Sequence, residues 1–88
     1  MAWTVSFEPR ALGELKKLDR SAQQRVVRFL SERIAGDHDP RSFGKPLMGD
    51  RVGLWRYRVA SYRIVCRIED EHQAVLVLRI AHRKDVYR

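Results

Sequence analysis

Four arginines recur at alternating positions in two neighbouring stretches, Arg56 and Arg58 in one and Arg63 and Arg67 in the next. Arginine presents a planar fork to phosphate and stays protonated at any physiological pH, so it can hold an anion or stabilise developing negative charge but cannot accept a proton. The wider charge balance agrees. The 88-residue chain has 18 basic and 11 acidic side chains, a net charge of +7, and the excess falls almost wholly in residues 41–88, where nine arginines and two lysines face five acids. Such a distribution points to a polyanionic partner. Near the end, His82, whose imidazole can accept or donate a proton, adjoins Arg83, with Tyr87 in the same segment. Taken alone, a histidine after a strand is more often a packing or surface residue. Cys66 is the single cysteine, which excludes an internal disulfide and a cysteine zinc site, and it alternates inward as an inert thiol. His38 and His72 are scattered in loops, so no metal or other cofactor is expected.

These side chains must be positioned by a small number of elements. Ala2 to Phe7 alternates around Trp3, Val5 and Phe7 and predicts a strand. Pro9 suits a first helical turn, and Ala11, Leu12, Leu15 and Leu18 follow at helical spacing. Asp19, or Ser21 with Gln24, can cap a second helix whose apolar stripe is Ala22, Val26, Phe29, Leu30 and Ile34, with Gly36 as its stop. Asp37 to Asp50 is turn-rich and predicts a loop with one short extended piece.

From Leu54 the period becomes two. Trp55, Tyr57 and Val59 share one side of a strand and the arginines the other; after a tight connection at Ala60 and Ser61, Tyr62, Ile64, Cys66 and Ile68 form the inner side of the next. Ala74 to Ala81 is nearly continuously apolar and predicts a central strand carrying Arg79. The expected fold is α+β, a single small domain spanning 1–88 in the order β-α-α-β-β-β, with an antiparallel sheet and both helices packed on one face. The other face is then left to the arginines. Without a partner, its charge would have to be balanced by Glu69, Asp70 and Asp85. Trp3, Trp55, Tyr57 and Tyr62 are expected in the core. No apolar run approaches the length of a membrane span and no signal sequence opens the chain, so a soluble, cytoplasmic protein without membrane contact is expected.

The stretch from Lys45 through Leu54-Trp-Arg-Tyr-Arg-Val and Tyr62-Arg-Ile-Val to Asp70, followed by Leu78-Arg-Ile-Ala-His-Arg-Lys-Asp-Val-Tyr87, closely resembles the RelE/ParE superfamily of bacterial toxins, in particular its RelE branch. The resemblance covers nearly the whole chain and implies the toxin of a type II toxin-antitoxin system. It further implies an endoribonuclease that enters the A site of the 70S ribosome and cuts mRNA there. An acidic RelB-like antitoxin would mask the basic face, and operator DNA would be reached only through that antitoxin. Position by position, the family's functional residues match Arg56, Arg58, Arg63, Arg83 and Tyr87. Many members have glycine where this chain has Ala60 and Ala81.

Cleavage of RNA without metal is attack by a 2′-hydroxyl on the adjacent phosphorus, which needs a proton acceptor, a proton donor and cations for the phosphorane charge. Arg56, Arg58, Arg63 and Arg83 suit the last role. His82 and Tyr87 are the candidates for proton transfer, and the sequence does not assign base and acid between them. Lys45, Arg51, Arg67, Arg79 and Lys84 would extend the RNA contact. Two alternatives remain open: a ParE-like inhibitor of DNA gyrase, which acts by binding and does not need His82 and Tyr87, and an inactive homologue that serves only as an antitoxin-binding module.

Overall fold

A computed structural model describes residues 2–47 and 53–82. Its elements run β1 (Thr4–Phe7), α1 (Pro9–Lys17), α2 (Arg20–Phe29), a wider helical turn (Leu30–Ile34), a 3₁₀ turn (Pro40–Ser42), β2 (Lys45–Pro46), β3 (Leu54–Val59), β4 (Tyr62–Glu69), a second 3₁₀ turn (Asp70–His72) and β5 (Ala74–His82). The architecture is α+β. Pro9 opens α1, where its missing N–H is not needed. Of the two possible caps for α2, the backbone uses Asp19, whose carboxylate accepts from the Ala22 N–H at 2.7 Å. Gln23 reaches back from α2 and donates to the Leu15 and Lys16 carbonyls, closing the end of α1. The wider turn keeps Leu30 and Ile34 on the buried stripe that Ala22 and Val26 begin.

Both helices lie on one face of a five-stranded sheet, ordered β1-β5-β4-β3-β2. Ala11, Leu15, Val26, Leu30 and Ile34 meet Tyr57, Ile64, Cys66, Ile68, Val75, Val77 and Ile80 in the principal core. The expectation of an antiparallel sheet is corrected at one edge, because β1 pairs with β5 in parallel, Thr4 beside Ala74 and Phe7 beside Val77. Parallel pairing requires a long connection, and everything from α1 to β4 lies between these two strands in the chain. Side-chain alternation predicts faces and carries no information about strand direction. The predicted central strand, β5, is interior, flanked by β1 and β4, while β4 takes the middle position.

Two departures from simple pairing fall on β5. Past Val77, β5 has no strand on its β1 side, and α1 covers that edge: the Glu14 carboxylate accepts from the Ile80 N–H at 2.8 Å. The pairing of β4 with β5 also slips, Val65 lying beside Arg79 and Cys66 beside Val77, which leaves Leu78 as an extra residue. A bulge of this kind exchanges the faces of all residues beyond it.

Candidate nucleic-acid interface

Strand register decides which cations meet. Lys45 of β2 lies beside Arg56 of β3, Arg58 is directly opposite Arg63 of β4, and Arg67 is opposite Leu54. All five therefore belong to the sheet face that carries no helix, as alternation predicts. Their exposure is unequal. Lys45, Arg58 and Arg67 are exposed and Arg56 is half-buried. Arg63, however, is only 8% exposed and is the sole buried charged residue among those described. A small apolar cluster shares this face, Leu47 folding onto Val65 beside Leu54 and Ala81. The open face is thus a partly covered surface with the Arg58–Arg63 pair at one end.

A groove of about 320 Å³ opens beside this pair and is lined by Lys45, Arg56 and Arg58 together with Phe29, Phe43 and Gly44. Its wall is fixed from β3. The Trp55 indole N–H donates to the Phe43 carbonyl at 2.7 Å and the Tyr57 hydroxyl donates to the Pro40 carbonyl at 2.6 Å. Burial raises the Tyr57 pKa far above that of a free phenol, so the hydroxyl keeps its proton and the bond persists. Gly44 has φ +74°, and a Cβ there would overlap the Arg56 carbonyl oxygen, so only glycine allows β2 this close to β3. Phe29 meets Phe43 edge to face with centroids 6.1 Å apart, and the Arg33 guanidinium lies 5.7 Å from the Phe43 centroid.

Two expected residues lie elsewhere. Arg79 is turned to the sheet edge, where it donates to Glu14 at 3.1 Å with both side chains mostly covered. His82 is in register with Tyr62, on the helix-bearing side, and their rings meet edge to face at 5.9 Å. It borders a cleft with Asp19, Ser21, Arg25 and Ser61, and so does not share a face with Arg58 and Arg63. Arg51, Arg83, Lys84 and Tyr87 lie outside the described residues, as does Asp85. Asp70, considered above as a counter-charge for the strand arginines, instead makes a two-pronged ion pair with Arg41 at 2.8 and 2.9 Å. That hydrogen bond holds the Asp70 carboxyl below the usual carboxylate range. Phe29 was expected only as part of the helical stripe, and Phe43 was hidden in a turn-rich segment; an aromatic residue immediately before Gly44-Lys45 was the available signal.

The sequence matches, over residues 5–87, a family model described as the ParE toxin of the type II toxin-antitoxin system, parDE. It is 38% identical over 88 residues to Toxin RelG of Mycobacterium tuberculosis, covering 100% of this chain and 99% of that protein. With Toxin RelE of the same organism it is 32% identical over 84 residues, covering 96% and 84%. Among solved structures, a chain of the M. tuberculosis toxin-antitoxin complex RelBE2 superposes with a TM-score of 0.80 at 36% identity, covering 97% of this chain and 95% of that one. The archaeal RelE–RelB complex from Pyrococcus horikoshii shares the fold, with a TM-score of 0.69 at 20% identity over 98% and 100% of the two chains. By sequence and by fold, the chain belongs to the RelE/ParE superfamily, the toxins of type II toxin-antitoxin systems.

Proposed function

We propose that this toxin is a RelE-type endoribonuclease that cuts mRNA held in the ribosomal A site. The observation that supports this most directly is the meeting of Lys45, Arg56 and Arg58 around one groove, with Arg63 opposite Arg58. Three strands thus bring four cations together from positions spread over nineteen residues. An RNA phosphate satisfies such a cluster, and the same cations stabilise the charge that grows as the 2′-hydroxyl attacks. Arg63, held among packed neighbours, has the restricted freedom expected of a transition-state contact. His82 lies on the opposite side of the sheet, so the proton transfer is proposed for Tyr87 with Arg83, both outside the described residues.

The ribosome enters the proposal for a physical reason. A face with few groups able to move protons must gain much of its rate from a substrate aligned for attack, and an RNA held in place supplies that alignment. The partner that restrains the toxin is proposed to be an antitoxin with an acidic segment that covers the Arg56–Arg58–Arg63 surface. The structure neighbours solved as RelBE complexes support an antitoxin partner.

The family description favours a second reading, a ParE-like inhibitor of gyrase. Expressing the toxin in a bacterial translation extract and mapping mRNA 5′ ends by primer extension separates the two. Ends at A-site codons are expected. Intact mRNA accompanied by a loss of gyrase supercoiling would overturn the nuclease reading.

A further inference from the structure

The groove at β2 and β3 has two aromatic walls that phosphate binding does not require. Phe29 and Phe43 both line it, although one comes from α2 and the other from the loop before β2. The Trp55 bond to the Phe43 carbonyl, the Tyr57 bond to the Pro40 carbonyl and the close passage of Gly44 over β3 hold the Phe43 segment in place. A volume of about 320 Å³ is within the range of small-ligand sites. Aromatic side chains beside a line of cations are the arrangement with which proteins hold single-stranded nucleic acid, the rings taking a base and the cations its backbone.

We infer that this groove is a nucleobase subsite, which receives one unstacked base of the RNA against Phe43 and Phe29 while Lys45, Arg56 and Arg58 hold the flanking phosphates. The inference rests on the proposal that the arginine face binds RNA, and adds that the toxin grips a base as well as the backbone. Phe43 is then a binding residue for substrate, and Trp55 and Gly44 are positioning residues that act through it.

The test is titration of the ¹⁵N-labelled full-length toxin with a 2′-O-methyl trinucleotide and with the same oligonucleotide made abasic at its central position. Shifts are expected at the Gly44 and Lys45 amides and the Trp55 indole N–H. The base-bearing oligonucleotide should bind roughly 5- to 100-fold more tightly than the abasic one. Phe43→Leu should abolish that preference and Phe43→Tyr should retain it, with thermal unfolding of each variant confirming the fold. Equal affinities for the two oligonucleotides, or a wild-type toxin whose groove signals do not move, would overturn the subsite. So would groove signals that respond to an acidic antitoxin peptide and not to the trinucleotide. Phe43→Leu is also assayed in the translation extract, where its cleavage should fall by a similar factor. Wild-type cleavage by Phe43→Leu, with no base preference in the titration, overturns the subsite and leaves the nuclease proposal standing. A base preference at the groove with uncut mRNA does the reverse.

Discussion

Arg56 and Arg58 project from the helix-free face of β3, one half-buried and the other exposed, and neither contributes to the principal core. Replacing both with alanine should abolish translation arrest while leaving the unfolding midpoint close to that of the parent, as measured by urea denaturation. Wild-type arrest by the double variant would remove this face from the site. Arg63 should behave differently, because it is buried. Arg63→Ala should reduce cleavage by about 10²–10³, the usual effect of losing one charged transition-state contact, and should also lower stability. Cys66 provides a control on the same strand. Fully buried and with its thiol pKa pushed up by that burial, it should resist thiol reagents in native toxin and react only along the urea unfolding curve. Alternation made the shared side of Arg56, Arg58, Arg63 and Arg67 and the inward Cys66 legible. The covering of Arg63 was not, because the packing around it depends on chain segments far apart in sequence.

Elements explain where the cations end up. Glu14 replaces a missing strand at the outer edge of β5, accepting from the Ile80 backbone and from Arg79. Glu14→Ala leaves the Ile80 N–H without that acceptor and should cost about 1–3 kcal/mol of stability. Glu14→Gln can still accept from Ile80 and should cost less; equal losses in chemical denaturation would contradict this role. The β3–β4 connection has a different weakness. Ala60 has φ +53° at the first position of its two-residue turn, a place where hairpins favour glycine. Ala60→Gly should therefore raise the thermal midpoint, by up to about 1 kcal/mol of stability once the added freedom of the unfolded chain is deducted. A lowered midpoint would show that the turn is not strained. The difference from relatives at Ala60 was visible in the sequence, as were both helices and the β3–β4 hairpin. The bulge at Leu78 was not, since Ala74 to Leu78 is apolar on both sides and gives no sign of a change in parity. That bulge explains why His82 faces the helices.

At the scale of the molecule, the excess charge of residues 41–88 becomes one surface because β2, β3 and β4 are neighbours in the sheet. β1 reaches β5 from the other end of the chain, and together with the helices it buries the opposite face. The result is a domain with a core on one side and a cationic surface on the other, the surface proposed to take RNA and to be covered by the antitoxin. The central claim is that this surface cuts ribosome-bound RNA by 2′-hydroxyl attack. The most direct measurement is end-group analysis of mRNA cleaved in purified 70S ribosomes programmed with a defined A-site codon, comparing wild-type toxin with the Arg56→Ala, Arg58→Ala double variant. The account predicts a single cut in the A-site codon by wild type, with a 5′-hydroxyl on the downstream fragment and a 2′,3′-cyclic phosphate or 3′-phosphate on the upstream one, and no cut by the variant. A 5′-phosphate on the product, or cleavage by the double variant at the wild-type rate, would contradict it.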